Sequence, residues 1–167
     1  VVVMDSGHIE QAGTAEEIYN QPKTTYVAEF MGGWNVVNAT VAGTENGETT
    51  LKGGDGELYG LKANGQDVSG DLSFGVRRDK IHLASDHAEG KNSVAGIVHA
   101  IEYQGNWVKV TIIKPNDERL VAVIDDQEFF GNPAKVGDNV HAVWAVEDGR
   151  TLEQALGSQN LIGESFD

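Results

Sequence analysis

Hydrophobic positions along the chain fall into short alternating runs separated by glycine and polar turns, a pattern of strands. The cleanest is Asp71–Arg77, where Leu72, Phe74 and Val76 face one way and Ser73, Gly75 and Arg77 the other, so a half-buried strand is expected. Similar runs at Asn35–Ala42, Thr49–Lys52, Glu57–Lys62, Glu118–Ile124 and Asn139–Val146 predict further strands, with Asn46-Gly47 a hairpin turn between the first two. Val94–Tyr103 and Asn106–Ile113 read as a long hairpin around Gln104-Gly105-Asn106. Ala95, Ile97, His99, Ile101 and Tyr103 share one of its faces, and Val108, Val110 and Ile112 alternate in the partner strand. Residues 86–93 are a polar, exposed connection between two strand blocks.

The first 35 residues differ. Val1–Met4 and His8–Ala12 suit short strands joined by Asp5-Ser6-Gly7. Thr14-Ala15-Glu16-Glu17 is a capping box, and Pro22 ends the helix it starts by Asn20 or Gln21. A second helix fits Thr24–Met31, with Val27, Phe30 and Met31 on one face and Gly32-Gly33 as its stop. Trp34 is expected to pack this helix pair against the strands that follow. Residues 148–167 are acidic and weakly patterned, with one helical turn at Leu152–Leu156 and a disordered end.

These residues resemble a known junction. Met4 through Tyr19, then Pro22, Tyr26 through Gly32, and Asn35 are similar to the stretch that joins the nucleotide-binding domain of ABC importer ATP-binding subunits to a C-terminal regulatory domain. That regulatory domain is the transport-associated OB domain. The likeness continues at Gly75-Val76-Arg77-Arg78-Asp79, where relatives read Arg-Pro-Glu; Arg77 matches, Arg78 replaces Pro and Asp79 keeps only the charge. It resumes at Val98, Ile101 through Gly105, Gly137-Asp138 and Trp144. Asn35, Asn38 through Val41, Phe129-Phe130 and Trp144 look most like the spermidine/putrescine branch, with ferric iron, another small solute or a sugar as the alternatives.

The resemblance implies a mainly β chain: an OB-type barrel of two strand blocks at 34–147, preceded at 1–33 by a strand and two helices left from an α/β nucleotide-binding domain, and followed by the tail. It implies partners, namely that domain, a second copy of the subunit, membrane permease subunits and a small solute. It also implies a cytoplasmic, membrane-peripheral location. The Val at position 1, inside a strand pattern, is expected to mark a fragment of a longer product. Val1–Met4 is then an orphan strand that frays, pairs with His8–Ala12 or adds to a neighbouring molecule.

Composition narrows the functions. The net charge is −14, from 26 acidic and 12 basic residues, and the basic residues cluster only at Arg77, Arg78 and Lys80, which disfavours a nucleic-acid-binding OB protein. The absence of cysteine excludes disulfides, zinc–thiolate sites and thiol nucleophiles. No Gly-Lys-Ser/Thr phosphate loop is present; Gly53-Gly54-Asp55-Gly56 leads into a strand and carries an Asp that would repel phosphate. The importer signature and magnesium-site motifs are missing as well, so ATP and magnesium are expected in an upstream domain, with no cofactor here. The histidines lack ligand spacing. The adjacent pairs Asp125-Asp126 and Glu147-Asp148 point to opposite faces of a strand and suit no acid/base work.

What remains is contact chemistry. Tyr103, Trp107, Phe129, Phe130 and Trp144 are aromatics that could line a groove or an interface, with core packing the alternative for Tyr103 and Trp144. Arg77 and Arg78 cannot both face inward, and one is expected to pair with Asp79 or with an acid of a second subunit. A solute-sensing module, in which acidic and aromatic residues bind a polyamine, is the rival reading.

Overall fold

The computed structural model describes residues 1–62 and 67–156, so the polar stretch 63–66 and the chain end 157–167 lie outside it. The chain opens with an antiparallel hairpin of β1 (Val2–Asp5) and β2 (His8–Ala12), turned by Ser6 and Gly7 at φ 48° and 82°. Of the three outcomes expected for Val1–Met4, pairing with His8–Ala12 is the one observed. Helix α1 (Ala15–Asn20) starts at the expected capping box, with Glu17 N donating to Thr14 Oγ1 at 3.1 Å and Thr14 N to Glu17 Oε2 at 2.8 Å.

Helix α2 (Thr25–Met31) is capped by Thr24 and stopped by Gly32 at φ 72°. Its buried face keeps Val27 and, partly, Met31 as expected but takes Ala28 in place of Phe30. Val27 packs with Val3 and Ile18, and Ala28 packs with Trp34 and Leu152, so the helix sits wedged between two clusters. Phe30 is left exposed, stacked on Tyr26 at 5.9 Å.

Two five-stranded antiparallel sheets follow and curl around one core, the mainly β, OB-type architecture expected of two strand blocks. The first contains β3 (Trp34–Glu45), β4 (Glu48–Gly53), β5 (Leu58–Lys62) and β6 (Asp71–Arg77). A 3-10 turn at Arg78–Lys80 leads to β7 (His82–Ala84). The second block is β8 (Asn92–Tyr103), β9 (Trp107–Ile113), β10 (Arg119–Asp125), helix α3 (Asp126–Gly131) and β11 (Asn139–Trp144). A second 3-10 turn, Val146–Asp148, leads to β12 (Gly149–Leu152).

The sheet orders are β5-β4-β3-β6-β12 and β10-β9-β8-β11-β7. Each sheet is therefore a three-strand meander, extended by the strand that follows it and closed by a short strand from the other half. The correspondence holds residue by residue. β3 bulges between Val41 and Gly43 where β4 pairs with it, and β8 bulges between Val98 and Ala100 where β9 does. Asn35 Nδ2 and Oδ1 bracket the backbone of Val121 at 2.9 and 2.8 Å, while Asn92 brackets Gly60 in the same way at 3.0 and 2.7 Å. Gly56 at φ 83° and Asp117 at φ 64° turn the two equivalent hairpins. The barrel is an internal duplication with reciprocal exchange of one edge strand.

Several local expectations change in this frame. β6 is buried on both faces rather than half-buried, because β3 and β12 flank it and Trp34 and Leu152 cover its outer side; a Cβ on Gly75 would stand 3.0 Å from Trp34 and 3.1 Å from Leu152. In β8 the residues that face the core are Val94, Gly96 and Val98, and the bulge then moves Ile101 onto that side, leaving Ile97 51% exposed. Asn92 and Ser93 belong to β8 and are buried, so the polar connection ends before them. The tail begins later than position 148: Leu152 is a strand residue, and Glu153 N and O bond Lys23 O and Thr25 N at 2.8 and 2.9 Å. β12 thus closes the first sheet and ties it to α2.

Candidate functional site: the seam between helices and barrel

The sequence-predicted residues separate into three places. Arg77, Arg78, Asp79 and Trp107 meet at the seam where α1 and α2 rest on the barrel. Arg77 donates from Nε and Nη2 to both oxygens of Asp79 at 2.9 and 2.6 Å, and from Nη1 to Asn20 Oδ1 at 2.6 Å. Its guanidinium also lies 5.4 Å from the centre of the Tyr19 ring. The hydrogen bonds that Arg77 donates to Asp79 raise its pKa despite some burial. Trp34 fastens the same corner: it is buried, and its indole donates to Tyr19 O at 2.9 Å.

Arg78 turns the other way. Its amide donates to Gly33 O at 3.0 Å, just past the end of α2, while burial lowers the pKa of its guanidinium. A pocket of about 490 Å³ opens beside it, lined by Tyr19, Gly33, Arg78, Asp79, Trp107 and Lys109 among others. Trp107 is 46% exposed, and Lys109 is paired with Glu102 at 3.1 Å.

Tyr103, Phe129 and Phe130 form the second group. Phe129 and Phe130 lie on α3, which Asp125 caps by accepting from Gln127 N at 3.0 Å. Phe129 is buried in the core. Tyr103 and Phe130, 64% and 60% exposed, stack on each other at 6.0 Å with an interplanar angle of 6°. Trp144 stands apart in the core, stacked on Tyr59 at 6.0 Å with no partner for its indole N–H. It is not available for surface contact.

Periodicity alone did not single out a buried ionic cluster between the halves. Lys114 Nζ donates to Asp55 Oδ2 at 2.6 Å and also pairs with Glu118, and Tyr59 Oη donates to Asp55 Oδ2 at 2.7 Å. Burial works against the Asp55 carboxylate, but the bonds from Lys114, Tyr59 and Glu57 N outweigh it and hold its pKa below the ordinary range. Burial, and then the Asp55 bond, push the Tyr59 phenol up. The asparagine clamps were also missed. Their signal was present as Asn-x-Val-x-small-x-Val at Asn35–Val41 and again at Asn92–Val98.

Two grooves occupy equivalent positions in the halves. One, of about 580 Å³, is largely apolar and includes Ala95, Ile97, Ile113, Val136 and His141; its counterpart of about 470 Å³ includes Asn38, Thr40, Lys52, Asp71 and Ser73. Among the described residues no cluster of His, Cys, Asp or Glu is arranged for a metal ion, and no helix is long and apolar enough to cross a membrane. The chemistry on offer is recognition: a fixed guanidinium, exposed aromatic faces and two grooves.

The spermidine/putrescine import ATP-binding protein PotA of Pseudomonas aeruginosa is 29% identical over 160 residues, covering 91% of this chain and 43% of that protein. PotA of Bacillus anthracis is 30% identical over 153 residues, covering 91% and 37%. The chain thus spans about two fifths of the length of the curated relatives it matches. Among solved structures, the molybdate-bound form of the cytoplasmic molybdate-binding protein ModG superposes with a TM-score of 0.62 at 19% identity, over 71% of this chain and 96% of ModG, a likeness of fold. The model of the TOBE domain matches residues 74–152, from within β6 to the last residue of β12. By that match, residues 74–152 carry a TOBE domain, and the likeness to PotA extends over 91% of the chain.

Proposed function

We propose that this chain is the regulatory portion of the ATP-binding subunit of an importer for a polyamine or similar small solute, and that it controls ATP-driven transport through contacts with a second copy of the subunit. The observation that carries the reading is the reach of the likeness to PotA, which extends over nine-tenths of the chain and so takes in more than the TOBE segment alone. In this reading residues 1–33 end a nucleotide-binding domain that holds ATP and magnesium upstream and performs the hydrolysis. The helices are fixed to the barrel by Trp34, Arg77 and Glu153, so strain at one is felt by the other. The subunit works on the cytoplasmic face, under permease subunits. Tyr103 and Phe130 are the side chains offered to a partner protein, since a stacked, exposed aromatic pair suits an interface.

The test is made on the gene product that carries this chain, assembled with its permease in membrane vesicles. Deleting residues 34–156 should raise solute-independent ATP hydrolysis several-fold and weaken subunit dimerisation. Unchanged hydrolysis and unchanged dimerisation would refute the reading. Saturable binding of spermidine to the 167-residue chain itself would instead favour solute sensing.

A further inference from the structure

Around the seam pocket nearly every ion has a partner. Arg77 and Asp79 satisfy each other, and Lys109 is held by Glu102. Arg78 is the exception: its Nε is closed off from solvent without a hydrogen-bond partner, and no ion pair among the described residues includes it. Asp79 lines the same pocket, yet both its oxygens already accept from Arg77. The pocket therefore keeps one uncompensated positive charge in a chain whose net charge is −14.

The backbone that carries that charge is held in place. The Arg78 backbone is fixed by the bond to Gly33 O and by the 3-10 turn Arg78–Lys80. A guanidinium presents parallel N–H donors that match the spacing of carboxylate or phosphate oxygens, and a desolvated one gains most from such a partner. Beside it, Trp107 and Val123 supply apolar surface, and Gln104 a polar side chain. The volume lies within the ~300–1,000 Å³ range of small-molecule sites.

We propose that the seam pocket binds a small oxyanion, a carboxylate or phosphate carried on a flat apolar body, with Arg78 as its bidentate partner and the Trp107 ring as the wall against which the body lies. A polyamine does not fit this site, because Arg78 and Lys109 both repel it. The proposal does not rest on the transporter reading, and either can fail alone.

Trp107 provides the readout, since Trp34 and Trp144 are buried. The 167-residue chain is titrated with benzoate and with adenosine 5′-monophosphate, each matched by its neutral counterpart, benzamide and adenosine. The expected result is a saturable change in Trp107 fluorescence with at least one anion, accompanied by a shift of the Arg78 Nε–H resonance. Binding should be at least tenfold weaker for the neutral counterpart and for Arg78→Gln, and partly recovered in Arg78→Lys. The two anions separate a carboxylate ligand from a phosphate one. Trp107→Leu, which leaves Arg78 intact and is read by the Arg78 Nε–H resonance instead of fluorescence, should weaken binding several-fold and serves if Arg78→Gln does not fold. Absence of saturable binding by both anions, or equal binding by neutral counterparts, overturns the proposal. So does self-association abolished by Arg78→Gln without anion binding, which would assign the pocket to an acidic side chain of another copy.

Discussion

The two halves of the barrel share a backbone and divide the chemistry unequally. Bulge, hairpin turn, asparagine clamp and exchanged edge strand recur at matching places. The side chains at matching places diverge: Asp55 stands where the second half has Asn116, Lys114 where the first has Gly53, and Thr40 where the second has Ile97. What the duplication preserves is hydrogen bonding of buried backbone, which any side-chain set would need. What it releases is everything facing a groove, the seam or the interface between halves.

The largest effect is expected where the halves became different and complementary. Asp55 and Lys114 are 3% and 2% exposed, so Asp55→Ala leaves a buried ammonium with only the half-exposed Glu118 carboxylate and should cost ~3–5 kcal/mol in chemical denaturation. Asp55→Ala combined with Lys114→Met should recover most of that loss; no recovery would mean the pair is not the cause. The same carboxylate gives a pH signature. Its folded-state pKa is lowered, so the stabilisation is complete above the ordinary value of 3.8 and is lost as pH falls through the lower folded value. Wild type should therefore lose stability more steeply in that acid range than Asp55→Asn, which has no carboxylate to titrate there.

Next come the elements that stayed alike. Asn35→Ala and Asn92→Ala each strip both bonds from one buried backbone unit, at about 1–3 kcal/mol apiece, and the two losses should agree closely. A negligible loss at one of them in thermal melts would break the equivalence of the halves. Gly96 sharpens it from the other side. Its counterpart in β3, Ala39, carries a Cβ, whereas a Cβ on Gly96 would meet Ile112 Cγ2 at 2.5 Å and Ile113 O at 2.9 Å. Gly96→Ala should cost ~1–3 kcal/mol by overpacking, read by the same melts, and a neutral result would show that β9 can yield.

How much of this was legible beforehand follows the same division. Alternation located the strands well, because burial of one face writes a period of two; β6 was placed at its observed bounds, and helix ends were read from Thr14, Glu17 and Gly32, while Thr24, taken as the first residue of α2, is its cap. Facing failed where an extra residue shifts the register, as after Val98, since a bulge leaves no mark on hydrophobicity. The closing strand β12 was hidden because four residues, Gly149–Leu152, with one large apolar side chain carry too little pattern. At the seam, Arg77 with Asp79 was legible from adjacency, and the resemblance marked Arg78 as a departure. That Arg78 stays unpaired depends on Tyr19, Gly33 and Trp107 converging from distant positions, which no local window contains.

The smallest expected effect tests whether the grooves are free to diverge. Ile97 is half exposed in the apolar groove and corresponds to Thr40 in the polar one. Ile97→Thr makes the second groove resemble the first without disturbing the core or the β8 ladder, so stability should change by no more than ~0.5 kcal/mol. Binding of a hydrophobic dye such as ANS should nevertheless fall, because the groove loses its largest exposed apolar side chain beside Val136. A loss of several kcal/mol would show that Ile97 supports the fold, and that the difference between grooves is part of how the barrel holds together.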